Sequence, residues 1–132
     1  EKAGVTFLKD QTAYLYNQYR LIGLRDMSDK DKILPSSYLE QIKKDSPYTI
    51  VISHRPRKLE DIARYNVNLT LCGHTAGGQY PVTGWLEKLS SDMIYGIKKT
   101  GTMTAVTTSG AGQYGIPSKI MAPAEIVKIT LS

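Results

Sequence analysis

The chain has 132 residues, 41% of them hydrophobic and 22% charged, which suits one globular domain and excludes a disordered, collagen-like or coiled-coil chain. Seventeen Lys and Arg against twelve Asp and Glu give a net charge of +5, but the basic residues are scattered and lack interleaved aromatic residues, so nucleic-acid binding is not indicated. The single cysteine, Cys72, excludes an internal disulfide framework and a four-thiolate metal site.

The sequence shows neither a membrane span nor a signal peptide. No apolar stretch approaches the roughly 18 residues that a spanning helix needs. The chain opens with Glu1 and Lys2 rather than with methionine, so we expect the natural start to lie upstream. Two locations therefore stay open: the cytoplasm, or a membrane to which a missing N-terminal segment anchors the protein.

The first third of the chain predicts short strands and then a helix. β-branched and aromatic runs predict strands over 5–8, 12–16 and 19–24, and the two-residue break at 17–18 fits a tight antiparallel hairpin. Residues 26–35 are polar and predict a loop. Ser37 and Glu40 form a capping-box pattern, which predicts a helix that the segment 45–47 ends.

The middle of the chain predicts a strand–helix–strand unit with parallel strands. Residues 48–53 are apolar enough for a strand that is buried on both faces, and residues 59–65 fit a short helix. Residues 68–72 form the next strand. Segments 104–108 and 125–131 predict two more strands joined by a loop rich in Gly and Pro. These elements define an α/β chain with a mixed sheet and one βαβ unit, without an internal domain boundary.

The only two histidines, His54 and His74, each follow a predicted strand of this unit. Parallel neighbouring strands have their carboxyl ends at one edge of a sheet, where ligand sites of α/β folds lie. Two imidazoles at that edge are spaced to share one metal ion. A single histidine at a strand end is more often an ordinary loop residue than a metal ligand. The metal site is therefore inferred from the occurrence of both histidines at the ends of neighbouring strands. Two histidines do not complete a catalytic metal site, and we expect carboxylates from elsewhere to complete it.

Four segments carry a resemblance to a known family. Residues 73–79, Gly-His-Thr-Ala-Gly-Gly-Gln, resemble the Gly-His-Thr-His-Gly-Gly-Gln signature of calcineurin-like metallophosphoesterases. Residues 52–56 look like the upstream histidine motif of that family. The segment 110–126 resembles its closing segment, and residues 21–26 resemble a strand-and-loop element between its metal motifs. The resemblance spans almost the whole chain, and the glycine–histidine motif is its most specific part.

The resemblance implies a dinuclear metal hydrolase with a β-sandwich flanked by helices. In that family two divalent cations, such as Mn, Fe or Zn, clamp a phosphate ester and activate a water. The Asp-x-His, Gly-Asp-x-x-Asp and Gly-Asn-His motifs of the family do not occur in this chain. We therefore expect residues 1–132 to be a single partial domain, the C-terminal half, which is inactive alone. Its partner within the domain would be the missing N-terminal half. The sheet surface that this half leaves uncovered predicts self-association of the chain.

The resemblance assigns roles to four positions. His54 and His74 match the family's ligands of the second metal, and Ala76 stands where a further histidine would bind the first metal. Arg55, next to His54, has a guanidinium suited to a phosphate, although a solvent-exposed arginine is the simpler interpretation. Because a methyl group cannot bind a cation, Ala76 leaves two hypotheses open: a metal-dependent phosphoesterase, or a catalytically impaired relative that binds a ligand or a protein.

Two remaining predictions concern packing residues. Cys72 lies inside a predicted strand, which favours a buried and inert thiol over a nucleophile. Trp85 and the nine tyrosines are expected to pack with their polar tips at the surface.

Overall fold

A computed structural model describes residues 4–26, 36–42, 46–79, 81–112 and 122–131. These residues form a six-stranded mixed sheet with a few short helices. The strands are β1 (Gln11–Leu15), β2 (Tyr19–Gly23), β3 (Tyr48–Ser53), β4 (Leu69–Cys72), β5 (Gly96–Thr100) and β6 (Met103–Thr107), and the helices are a 3-10 turn (Ser36–Tyr38), α1 (Leu59–Ala63) and α2 (Pro81–Ser90). The predicted α/β class is confirmed. The second sheet that a β-sandwich requires is not among the described residues.

The strand order is β1-β2-β3-β4-β6-β5, with a parallel centre and antiparallel edges. Strands β2, β3, β4 and β6 are parallel, while β1 and β5 run antiparallel to their neighbours at the two edges. The βαβ unit formed by β3, α1 and β4 is confirmed. This arrangement places the carboxyl ends of four strands along one edge of the sheet, which is called the carboxyl edge below.

The core lies between the sheet and α1. Its fully buried side chains come from the strands, from the predicted apolar face of α1 and, for Val67, from the loop before β4: Ile22, Val51, Leu59, Ile62, Val67 and Met103. Burial of each such side chain contributes about 1.5–3 kcal/mol. The core therefore holds β3 and β4 in place. It also fixes the positions of the residues that follow these strands at the carboxyl edge.

The helix predicted from the Ser37–Glu40 pattern is shorter than expected. A 3-10 turn spans Ser36–Tyr38, and the Ile42 amide donates to the Leu39 carbonyl at 3.0 Å, a bond that spans three residues. Leu39 and Ile42 are both buried in the core. Because two apolar anchors three residues apart are satisfied by a tight turn, the chain packs there without a regular α-helix. Residues 43–45, and most of the predicted loop 26–35, lie outside the described residues.

The strands predicted over 5–8 and 125–131 are wrong, since both segments are irregular. The Glu125 amide donates to the Gly110 carbonyl near the end of β6, whereas Leu131 lies beside Tyr19 and Tyr48 at the opposite ends of β2 and β3. The second segment therefore crosses the sheet instead of extending it. The predicted hairpin at β1–β2 is confirmed, although its loop has three residues, 16–18.

Two elements were not predicted: α2 and β5. Pro81 at the first position of α2 is a helix-start signal, but the interior glycine, Gly84, weakens the helical pattern. The two-residue turn after Thr100 that joins β5 to β6 was the available hairpin signal. Among the described residues, no helix is both long and apolar enough to cross a membrane.

Candidate metal site at the carboxyl edge

His54 is the first residue after β3. The Ser53 hydroxyl donates to the Arg55 carbonyl at 2.9 Å, which turns the chain immediately after the strand. The Gly73 amide donates to the His54 carbonyl at 3.1 Å and ties this turn to the end of β4. Both strand ends are thus held together by backbone contacts before any side chain is considered.

His74 lies on a tight turn that follows β4. Its backbone has φ = 68°, and the turn is held by amide-to-carbonyl bonds from Thr75 to Gly73 and from Gly78 to Thr75, both 2.8 Å. The buried Thr75 hydroxyl donates to the Ile94 carbonyl at 2.5 Å. These contacts anchor the turn on the segment that leads into β5, so His74 projects from a fixed support.

The two imidazoles meet. Nδ1 of His74 lies 2.9 Å from Nε2 of His54, and the ring centroids are 4.7 Å apart at 69°. Which of the two nitrogens carries the hydrogen in this contact depends on the tautomers of the rings. Two nitrogens that bind one cation at right angles with bonds near 2.0–2.1 Å would be about 2.9 Å apart. The geometry therefore fits two neighbouring ligands of a single divalent cation.

The described residues supply only this pair. No group of three or more His, Cys, Asp and Glu side chains among them could hold a metal ion. Ala76, half-buried on the same turn, contributes a methyl group where the resemblance places a further histidine. The expectation that additional ligands come from elsewhere stays a prediction.

The turn that carries His74 contains two non-glycine residues in the left-handed backbone region. Ala76 has φ = 48° and His74 has φ = 68°, a region that costs a non-glycine residue about 1–2 kcal/mol. Gly77 and Gly78 adopt φ = 68° without that cost. A methyl group at Gly77 would lie 2.5 Å from the Ala122 Cβ, so the turn also needs glycine for space. Strain of this kind is typical of functional sites, where surrounding contacts hold it in place.

Arg55 pairs with Asp26 at this edge. The Arg55 Nε donates to Asp26 Oδ1 at 2.9 Å, and the Arg55 side chain is 23% exposed. The Arg55 side chain is thus partly exposed and ion-paired, and its role toward a phosphate stays a prediction. Asp26 follows β2, so the pair lies beside His54 and holds the guanidinium near the candidate site. The sequence analysis did not predict Asp26 as its partner, because only the parallel pairing of β2 and β3 brings them together.

Cys72 is buried at the end of β4, which confirms the structural interpretation of this residue. Burial, with a smaller contribution from the Asp92 carboxylate, raises the pKa of its thiol to about 12. The thiol is therefore protonated near neutral pH and is neither a nucleophile nor a metal ligand in this state. The prediction for the large aromatic residues fails at Trp85 and Tyr16, which are 63% and 89% exposed.

Two acidic residues organise the carboxyl edge, although the sequence analysis did not single them out. Asp92 accepts a 2.6 Å hydrogen bond from the Leu59 amide and so caps α1, whose own preceding residue provides no side-chain cap. Glu125 accepts hydrogen bonds from the Tyr95 hydroxyl at 2.7 Å and the Thr108 hydroxyl at 3.0 Å. The bond to Glu125 raises the pKa of the Tyr95 phenol. Neither role leaves a local sequence signal, because both acids act on distant segments.

Comparisons with known proteins identify the class. The chain is 36% identical over 92 residues to an uncharacterized metallophosphoesterase of Helicobacter pylori, an overlap of 67% of this chain and 25% of the relative. It is 34% identical over 117 residues to an uncharacterized metallophosphoesterase of Campylobacter jejuni, an overlap of 84% of this chain and 31% of the relative. It is 32% identical over 91 residues to one of Bacillus subtilis, an overlap of 66% of this chain and 32% of the relative. No family model and no solved structure matches the chain.

The mixed α/β fold and these relatives together identify the family of the chain. The chain belongs to the metallophosphoesterase family. It spans about a quarter to a third of the length of the relatives it matches. The resemblance of the glycine–histidine motif is thereby confirmed at the level of the family.

Proposed function

We propose that this chain forms one side of a phosphoesterase active site in which His54 and His74 bind one divalent cation. The observation that carries the proposal is the 2.9 Å separation of Nδ1 of His74 and Nε2 of His54 on two turns that other contacts fix. A cation bound there would supply charge stabilisation for a phosphate ester and lower the pKa of a bound water. The two imidazoles must be neutral to bind it, so each acts as a nitrogen ligand rather than as a proton donor.

Arg55 has a second role in this proposal. Its guanidinium lies one residue beyond His54 and is oriented by Asp26. A guanidinium forms paired hydrogen bonds with phosphate oxygens, so Arg55 would orient the ester without taking part in proton transfer. Replacement of Arg55 by Lys would keep the charge but lose the paired geometry.

The proposed site is part of a larger dinuclear centre. The relatives are three to four times longer than the matched region, and we propose that a preceding part of the domain supplies the carboxylates and the remaining ligands of a two-metal site. The chain alone would then not turn over a phosphate ester. We expect the longer protein to hydrolyse a generic phosphate diester when Mn²⁺ is added. If that protein shows no turnover and retains no metal, phosphoesterase activity is contradicted.

Metal binding by this chain is tested directly with its two histidines. Titration with Zn²⁺ should shift the imidazole resonances of both residues, and either His54→Ala or His74→Ala should abolish the shift of the remaining ring. Arg64→Ala, an exposed arginine on the opposite end of α1, is the matched control and should bind Zn²⁺ like the wild type. Unchanged zinc affinity in both histidine variants would overturn the proposed site.

The second candidate function is a catalytically impaired relative that binds a ligand or a protein. Ala76 favours it, because its methyl group removes one expected ligand of the first metal. In the longer protein, Ala76→His should raise metal occupancy if the remaining ligands are in place. Unchanged occupancy together with absent turnover would favour the binding function over the phosphoesterase.

We further propose that the part of the sheet face that stays exposed promotes contacts with other protein chains. Across β3 and β5, Ile52 and Ile97 are 42% and 72% exposed on the same face of the sheet. Exposed apolar sheet surface favours association. Light scattering should show dimers or larger species at micromolar concentration, and a strictly monomeric chain would contradict this proposal.

A further inference from the structure

Glu125, in the segment after β6, joins parts of the chain that lie far apart in the sequence. Its Oε1 accepts hydrogen bonds from the Thr108 hydroxyl at 3.0 Å and from the Ser109 amide at 3.1 Å. Its Oε2 accepts a 2.7 Å hydrogen bond from the Tyr95 hydroxyl, just before β5. The Glu125 amide donates to the Gly110 carbonyl at 3.1 Å. Because a carboxylate is a strong acceptor, it holds these segments together. The Glu125 clasp, as it is called below, consists of Tyr95, Thr108, Ser109 and Glu125.

The Tyr95 side of the clasp contacts the turn that carries His74. Tyr95 follows Ile94, whose carbonyl accepts a 2.5 Å hydrogen bond from the Thr75 hydroxyl. Thr75 is the next residue after His74, and it is buried. The Tyr95 hydroxyl and the Ile94 carbonyl therefore link Glu125 to the residue that adjoins the candidate ligand.

The Ser109 side of the clasp contacts the same turn further along. A methyl group at Gly77 would lie 3.0 Å from the Ser109 Cβ and 2.5 Å from the Ala122 Cβ, so the backbone of the turn lies directly against both residues. Ser109 and Ala122 are buried, and the Ser109 hydroxyl donates to the Pro123 carbonyl at 2.5 Å. The clasp therefore supports the turn at two points, one near each end.

The turn depends on such support because of its backbone conformation. His74 has φ = 68° and Ala76 has φ = 48°, a region that a non-glycine residue keeps only where surrounding contacts hold it. His74 is exposed, so the direction of its imidazole depends strongly on the backbone that carries it. Its Nδ1 nevertheless lies 2.9 Å from Nε2 of His54. The contacts that fix the turn therefore also fix the distance between the two rings.

We propose that Glu125 is a positioning residue for the candidate metal site: through Ile94 and Ser109 it holds the His74 turn where its imidazole meets that of His54. Glu125 does not act as a third ligand, since no group of three such side chains among the described residues could hold a metal ion. The consequence for metal affinity rests on the proposed function. The consequence for the contact between the imidazoles does not, so the two can fail separately.

Two measurements test this role. In the metal-free chain, NMR cross-relaxation between the rings of His54 and His74 reports their contact, and Glu125→Ala should weaken it strongly. Titration with Zn²⁺ should give an affinity about tenfold lower than that of the wild type, the smaller of the losses typical of residues that orient a metal ligand. Glu125→Gln keeps an oxygen acceptor for Thr108 and Ser109 and should restore most of the ring contact and of the zinc affinity. An unchanged ring contact in Glu125→Ala would overturn the proposal.

Asn68→Ala is the matched control for a general loss of stability. The Asn68 Oδ1 accepts a 2.8 Å hydrogen bond from the Thr49 amide, at the ends of β3 and β4 that lie opposite the histidines. This variant should destabilise the chain but leave the ring contact and the zinc affinity unchanged. Equal effects of Asn68→Ala and Glu125→Ala would refute a specific role of Glu125.

If Glu125→Ala does not fold, Thr108→Val decides the question. It removes one hydrogen bond to Glu125 and keeps a β-branched side chain. We expect a folded chain with a weaker contact between the imidazoles, and an unchanged contact would overturn the proposal. A wild-type chain that binds no zinc while its imidazoles stay in contact contradicts the metal site, and the ring contact in the variants then still tests the role of Glu125.

Discussion

Replacement of Gly77 by Ala tests the packing of the turn that carries His74. An added methyl group meets two obstacles: the backbone has φ = 68°, and the new Cβ would lie 2.5 Å from the Ala122 Cβ and 3.0 Å from the Ser109 Cβ. The left-handed conformation costs a non-glycine residue about 1–2 kcal/mol. Overpacking against the neighbouring side chains adds about 1–3 kcal/mol. We therefore expect Gly77→Ala to lower the free energy of unfolding by about 2–5 kcal/mol.

Gly110→Ala is the matched control for the backbone contribution. Gly110 has φ = 73°, but a methyl group there would meet nothing within 4 Å. It should cost only the conformational part, about 1–2 kcal/mol. The difference between the two variants in urea denaturation, followed by circular dichroism, isolates the steric part of the Gly77 effect.

A double variant identifies the clashing partner. Ala122→Gly removes the nearest atom and should recover part of the stability lost by Gly77→Ala, which appears as a coupling free energy between the two sites. Equal losses for Gly77→Ala and Gly110→Ala, together with no coupling to Ala122, would refute the close approach of residue 122 to the turn.

The remaining predictions concern a thiol and a helix cap. Burial raises the pKa of the Cys72 thiol from its usual value of 9.0 to about 12, which lowers the thiolate fraction about a thousandfold near pH 8. Iodoacetamide should therefore modify the native chain far more slowly than the chain unfolded in urea, and equal rates would contradict the burial. Because the folded chain holds this proton more tightly, its contribution to stability should be lost as the pH rises from about 9 to about 12, and Cys72→Ala should show a shallower decline over that range. Asp92→Ala removes the hydrogen bond to the Leu59 amide and should lower the free energy of unfolding by about 0.5–2 kcal/mol. Asp92→Asn keeps an acceptor and should lose less stability. Identical losses for the two variants in urea denaturation would argue against capping.

Local patterns predicted the central part of the fold well. The apolar run at β3, the helical spacing of Leu59 and Ile62, and the second run at β4 each depend on neighbouring residues. Such periodicity is set by burial on one or both faces, so the βαβ unit could be predicted from the sequence. The strand predicted over 125–131 shows the limit of this reasoning. An extended apolar segment forms a strand only where it can hydrogen-bond to the edge strand of a sheet. Here hydrogen bonds to Glu125 direct the segment across the sheet.

The sequence by itself determined the chemistry of the site: two histidines after two strands, a glycine-rich turn, and alanine in place of a further ligand. Tertiary structure alone decided the distances, since the parallel register of β3 and β4 and the left-handed turn at His74 bring the two imidazole nitrogens to 2.9 Å. It also decided the pairing of Arg55 with Asp26 and the exposure of Trp85, which depend on contacts between residues far apart in the chain. Residue identity is local and can be read along the sequence, whereas the separation of two side chains on different strands depends on how the whole sheet assembles.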